Sequence, residues 1–222
     1  HPLPSRSIRH QPTPACLMQD GPLPRALLPA ATEAMARFLI GCRVVRIMPD
    51  GPRIGRIVET EAYLPDDAAS HSFRGVTPRN RAMFLGPGHA YVYRAYGTAW
   101  MLNVSAEPAG IGAGVLILAL EPLVGLEAMR ADRGGVPDRD LARGPGRLAA
   151  ALAIDRSLDG IDLLAEGPLY LAPPPEPAGV LGISTRIGIT KDAHRPLRFF
   201  QRGSRFVSGP AALNRGDPIA AG

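Results

Sequence analysis

Segments with strand character in this sequence do not alternate with long helical ones, and that ordering is the strongest limit on the fold. A doubly wound parallel sheet needs a helix after nearly every strand, so a mixed α+β domain is expected instead. Strands are predicted over Arg43–Met48 and Arg53–Tyr63, joined by the turn cluster Pro49-Asp50-Gly51-Pro52. Two more, His89–Tyr96 and Trp100–Ser105, face each other across Gly97-Thr98-Ala99; Val115–Leu120, Ser184–Thr190 and Pro196–Gln201 complete the set. Helices are predicted over Ala30–Ile40, with Met35, Phe38 and Leu39 on one stripe and Gly41 as the stop, over Pro122–Arg130, and over Leu148–Ile154 behind Gly144-Pro145-Gly146. Residues 1–29 hold seven prolines and no apolar period, and read as a flexible arm. No linker interrupts residues 30–210, which are expected to form a single domain followed by a tail over 211–222.

Composition removes several classes. The 222 residues are 45% apolar, enough for a sizeable core. The longest apolar run, Ile111 to Leu120, is about half of the ~20 residues that a bilayer-spanning helix needs. The N-terminus lacks a secretory apolar region, and two cysteines, Cys16 and Cys42, make neither a disulfide scaffold nor a four-cysteine zinc site. A soluble, intracellular protein with no membrane partner is expected. The net charge of +5 favours an anionic partner. Only Lys191 among the 25 basic residues is lysine, which nearly removes one class of nucleophile.

Chemistry concentrates between Ala68 and Ala106. This stretch has no acid, but holds Arg74, Arg79, Arg81 and Arg94 and six aromatics: Phe73, Phe84, Tyr91, Tyr93, Tyr96 and Trp100. Cations hold phosphates and aromatic faces stack on bases, the pairing that a nucleic-acid groove requires. A sheet with ordinary core aromatics and a solvated basic edge has the same composition. Just upstream, Glu59, Glu61 and Tyr63 project from one strand face. Two carboxylates beside an aromatic wall can yield a base suited to activating water, or simply pair with arginines. His71, His89 and His194 have no metal-ligand spacing, so no metal is expected. Gly112 and Gly114 suggest close backbone packing. Gly144-Pro145-Gly146-Arg147 before a helix offers either a phosphate contact or a plain helix-entry turn.

Taken in order, these segments resemble the alkyladenine (3-methyladenine) DNA glycosylase family from about Leu27 to Ser208. The collinear motifs are Arg56-Ile57-Val58-Glu59-Thr60-Glu61-Ala62-Tyr63, Thr77-Pro78-Arg79-Asn80-Arg81-Ala82-Met83-Phe84, Pro87-Gly88-His89-Ala90-Tyr91-Val92-Tyr93, Tyr96-Gly97, Asn103-Val104-Ser105, Ala119-Leu120-Glu121-Pro122, Gly144-Pro145 and Arg195-Pro196-Leu197-Arg198-Phe199. The resemblance implies an antiparallel-rich curved sheet with surrounding helices and a protruding hairpin. It implies that Glu61 activates water, that Tyr63, His71 and Tyr93 wall a pocket around a flipped base, and that Tyr96 wedges into the minor groove. Asn103 would help exclude guanine's amine, and Arg79, Arg81, Gly144 and Arg147 would lie along the DNA backbone. The expected activity is monofunctional excision of an alkylated or deaminated purine from double-stranded DNA by a monomer, with no cofactor. One departure stands out. Where this chain has Leu118 the family usually has an arginine, thought to help hold the water, which leaves a non-catalytic or weakly active damaged-DNA-binding protein as the alternative.

Overall fold

One of the two longest strands among the described residues also branches the sheet. In a computed structural model describing residues 13–219, β2 (Arg53–Tyr63) pairs from Ile54 to Tyr63 with β5 (Gly114–Val124). On its other edge the first half pairs with β1 (Arg43–Arg46), and the second half, Glu59 to Glu61, pairs with β8 (Arg198–Gln201). Register shifts between Ile57 and Thr60 mark the bend between these halves, as bulges do. The hairpin β3 (Ala90–Ala95) and β4 (Ala99–Ser105) extends the sheet beyond β5. Beyond β8 come β7 (Leu181–Ser184) and β9 (Pro218–Ile219), while β6 (Leu169–Ala172) pairs with β1. The path β3-β4-β5-β2-β8-β7-β9 is an open, antiparallel sheet in one domain of mixed α+β architecture.

Four short α-helices accompany it among the described residues: α1 (Pro14–Met18), α2 (Thr32–Phe38), α3 (Leu126–Asp132) and α4 (Pro145–Ala151). In α2, Met35 and Ala36 are buried and Glu33 bridges Arg37 at 2.6 Å on the outer side; Gly41, at φ 95°, turns the chain into β1. The main core lies between α2, α4 and one face of the sheet, through Ile57, Ala62, Val92, Leu102, Val104, Val115 and Ile117. Alternation along the strands therefore leaves the other face free for a site.

Four expectations are corrected. Of the expected arm, residues 1–12 lie outside the described residues, but from Thr13 the chain is packed: Leu17, Leu23 and Leu28 are buried and the Leu23 amide donates to the Leu171 carbonyl. Buried Arg43 fastens this segment by donating to the Leu17 carbonyl and to Asp20. Isolated leucines between prolines dock without needing a helical period. Residues 213–219, expected in a tail, carry β9 and Asn214, whose Oδ1 accepts from Arg198. Pro122 does not open a helix but lies within β5 at a register irregularity, and α3 starts only after Gly125, at φ 80°. Proline suits a helix start and an irregular strand equally. Finally, the strand expected over Ser184–Thr190 ends at Ser184, because the chain turns inward at Arg186.

Candidate active site

Four adjacent strands place one residue each in a single row across the free face. Tyr91 of β3 stands opposite Asn103 of β4, Asn103 opposite Leu116 of β5, and Leu116 opposite Glu61 of β2. Their i+2 neighbours Tyr93, Met101, Leu118 and Tyr63 share the face and complete the floor of a cavity of about 320 Å³. Such a volume suits a small planar ligand. Ala69 and His71 come from the loop after β2, Tyr96 from the hairpin tip, Pro145 from the start of α4, and Ile187 to Ile189 from the segment after β7. A hollow of about 380 Å³ elsewhere contains Arg56, Glu121 and Glu176, but Arg56 already bonds both acids, leaving no free pair for chemistry.

The two glutamates of β2 differ in their hydrogen bonds. Both are buried. Glu59 accepts from Arg198 Nε (2.8 Å), the Ser208 amide (2.7 Å) and the Ser208 hydroxyl (3.0 Å), so its carboxylate is fully engaged. Glu61 accepts only from the Ile187 amide at 3.2 Å and the Tyr63 hydroxyl at 3.1 Å, and it opens to the cavity. Burial pushes the Glu61 carboxyl up to about 7; the two donors pull it down, Glu59 raises it, and Arg186 lowers it. Burial, then the charge of Glu61, raises the Tyr63 phenol, so this group remains a donor. A carboxylate titrating near neutrality in a cleft is suited to taking a proton from water.

The walls are aromatic. Tyr91 and Tyr93 stack with centroids 5.3 Å apart, and the edge of His71 meets Tyr93 at 4.4 Å. His71 Nδ1 lies 3.0 Å from the Tyr91 hydroxyl, and the Asn80 side chain holds the His71 carbonyl at 2.9 Å. Desolvation, then the nearby Arg79, holds His71 below its ordinary range. Asn103 donates its amide to the Tyr91 carbonyl at 3.2 Å. Tyr96 stands at the hairpin tip, 91% exposed, with Tyr96 and Gly97 both at positive φ (52° and 70°), as a tight strand-to-strand turn demands.

Thus Glu61, Tyr63, His71, Tyr93, Tyr96 and Asn103 meet around one cavity. The expected backbone group is more dispersed. Exposed Arg79 bonds the Arg94 carbonyl and lies 6.0 Å over the Tyr93 ring, and Arg81 starts a short 3-10 turn. Gly144 caps α4, whose next residue, Pro145, lines the cavity, and exposed Arg147 follows on that helix. Glycine is required at 112, where a Cβ would fall 2.4 Å from Phe84 Cζ. Sequence reasoning missed Arg186, Asp67 and Ile187. Arg186 and Ile187 lie in the run Ser184–Thr190, which reads only as strand-like; a buried arginine beside an isolated aspartate has no local signature.

The chain is similar to known proteins over most of its length. The methylpurine-DNA glycosylase family model matches residues 26–205. Three similar proteins are each named "Putative 3-methyladenine DNA glycosylase". That of Mesorhizobium japonicum is 65% identical over 192 residues, 86% of this chain and 92% of the relative. The Paraburkholderia phytofirmans protein is 51% identical, covering 86% and 90%. The one from the Methanoculleus marisnigri genome is 48% identical, covering 84% and 98%.

Proposed function

Since the chain belongs to the methylpurine-DNA glycosylase family, and is a DNA glycosylase of base-excision repair, we propose that it releases alkylated or deaminated purines, such as 3-methyladenine or hypoxanthine, from double-stranded DNA. The observation that carries this reading is the row Tyr91–Asn103–Leu116–Glu61, which sets one under-bonded carboxylate at the edge of an aromatic-walled cavity.

A damaged nucleotide leaves the stack and enters the cavity, and Tyr96 fills the gap it vacates; unstacking costs a few kcal/mol, least for a weakly paired base. Tyr63, Tyr93 and His71 flank the base, and the tyrosine ring faces attract the positive charge of an alkylated purine. Asn103, pinned by the Tyr91 carbonyl, bars guanine's exocyclic amine. Arg79, Arg81, Arg147 and the Gly144 end of α4 meet backbone phosphates. As the bond between the purine nitrogen and the sugar breaks, positive charge grows on the anomeric carbon and the Glu61 carboxylate faces it. The electron pair of that bond stays on the purine nitrogen, which neutralises an alkylated purine and leaves hypoxanthine to take up a proton from solvent. Water adds its oxygen to the anomeric carbon and gives a proton to Glu61. The products are the free base and an abasic site in an intact strand, made by a monomer.

Leu118 favours a binding-only reading to the extent that it withholds a cation from Glu61. One experiment separates the two: release of hypoxanthine from a defined duplex by wild type and by Glu61→Gln. Loss of release with retained DNA affinity is expected, because the amide keeps the shape but takes no proton. Equal single-turnover rates would remove Glu61 from its role.

A further inference from the structure

Arg186, one of two arginines near the site that each make four hydrogen bonds, is outside the cavity lining. The side chains of Arg186 and Asp67 are both fully buried. Arg186 Nη1 donates to Asp67 and, at 3.0 Å, to the Ala62 carbonyl; Nη2 donates to Asp67 Oδ1 at 3.0 Å and to the Asp192 carbonyl at 3.2 Å. The guanidinium lies 4.7 Å over the Tyr63 ring. Asp67 also accepts from the Ala69 amide at 3.0 Å, and Asp192 from the Ala68 amide at 2.9 Å. One ion pair thereby ties together the end of β2, the loop leading to His71, and the segment 186–192.

Stability alone is a poor reason for this arrangement. Desolvation offsets much of a buried pair's attraction, and well-packed apolar residues often do as well. Arg186 Nε is also buried without a partner, a further cost. What the pair does achieve is positional: the residue after Arg186 supplies the amide that Glu61 accepts, and the residue before Tyr63 supplies the carbonyl that Arg186 holds.

We propose that Arg186 and Asp67 form a positioning pair for the general base, clamping residues 186–189 against β2 so that the Ile187 amide and the Tyr63 hydroxyl hold the Glu61 carboxylate at the cavity edge. This rests on the reading of Glu61 given above. Neither member lines the cavity. Because Arg186 is a cation near Glu61 and Asp67 neutralises it, the two also set the local field in opposite senses. The charged and titratable groups facing Glu61 are Glu59 and Tyr63 on β2, Tyr93 on β3, and Arg186; Glu59 is itself held by Arg198.

The test is single-turnover hypoxanthine excision, with enzyme in excess over duplex, by the full chain carrying Asp67→Asn, Arg186→Gln, Arg186→Lys or Glu61→Gln, each followed across pH and paired with DNA affinity and a thermal melt. Excess enzyme makes the rate independent of a modest unfolded fraction. Misplacement of about 1 Å costs on the order of 100-fold in rate, and losses approaching that are expected for Arg186→Gln, with DNA affinity unchanged. Its acid limb should move to higher pH, because a cation is lost. Asp67→Asn, which keeps the shape and leaves Arg186 unneutralised, should slow excision with its limb moved to lower pH. Arg186→Lys keeps charge but loses the fork, so it should be slow with the limb in place. Asp67→Asn decides the matter even where an Arg186 variant fails to fold: wild-type rate and an unmoved limb overturn the proposal. Should Glu61→Gln retain excision, the reading of Glu61 fails instead.

Discussion

Glu59 and Glu61 project from the same face of β2, and their spacing alone does not rank them. Bonding does: Glu59 is saturated by Arg198 and Ser208, while Glu61 keeps capacity toward the cavity. Acting as a base, Glu61 must be ionised, so excision should rise with pH and level off above about 7; a rate already flat from pH 5 to pH 8 would contradict this. Stability runs the other way. A carboxyl held at about 7 rather than 4.5 binds its proton more tightly when folded. The stabilisation is complete below the ordinary value and is lost as pH rises through the folded one, a change of roughly 3 kcal/mol. Glu61→Gln escapes that loss, so its melting temperature should exceed that of wild type by several degrees at pH 8 and by much less at pH 5. Leu118 belongs to the same balance. It is 3% exposed and lines the cavity, outside the apolar core clusters, so Leu118→Arg would bring a cation into the cavity. An opposite charge within reach lowers a carboxyl's pKa by one or more units, and the acid limb of the mutant's pH profile should move down by about that much. An unmoved limb would place the new guanidinium away from Glu61.

At the scale of elements, the protruding hairpin was readable because its signals are local: alternating residues on both arms, Tyr96-Gly97 between them, and a Thr98 amide returning to the Ala95 carbonyl at 3.1 Å. The segments misread were those in which distant contacts outweigh local pattern. Pro122 suits a helix start, yet β2 recruits it into β5; residues 185–190 look extended, yet Asp67, 119 positions earlier, draws Arg186 inward. The hairpin tip stores strain of its own. A tyrosine at φ 52° costs about 1–2 kcal/mol relative to an unstrained backbone, and its 91% exposure shows that packing does not repay this. Tyr96→Gly should therefore leave the thermal midpoint equal or higher while excision falls. The fall should be larger for a lesion in a stable pair than for the same lesion in a mispair, whose extrusion already costs less. Equal losses on both duplexes, or a lowered midpoint, would argue that the tip serves folding rather than flipping.

Across the whole molecule the site draws on residues from Glu61 to Gly209. The part legible in the sequence is the part carried by family-like motifs on β2 to β5, which imply Glu61, Tyr63, Tyr93 and Asn103, and the folded sheet brings these four to one face. Illegible was the closure of that face by α4 and the chain after β7, because it rests on tertiary contacts such as Pro145 at the cavity and Arg186 on Asp67. The same closure bears on whether the protein cuts the strand after removing the base. Strand cleavage by a glycosylase proceeds through an amine that adds to the sugar carbon as a Schiff base. Lys191 is the single lysine of the chain. It follows Ile187 to Ile189, which line the cavity, but is itself exposed and not among the lining residues. At its neighbour Asp192, the backbone sits at φ 48° and the carbonyl is held by Arg186, which ties this corner to the buried pair. Base removal is therefore expected to leave an unbroken strand, and borohydride added during turnover should trap no protein–DNA adduct on a denaturing gel. A trapped adduct that vanishes in Lys191→Ala would show that the loop swings into the cavity during the reaction, and would replace hydrolysis by Glu61-activated water with amine attack.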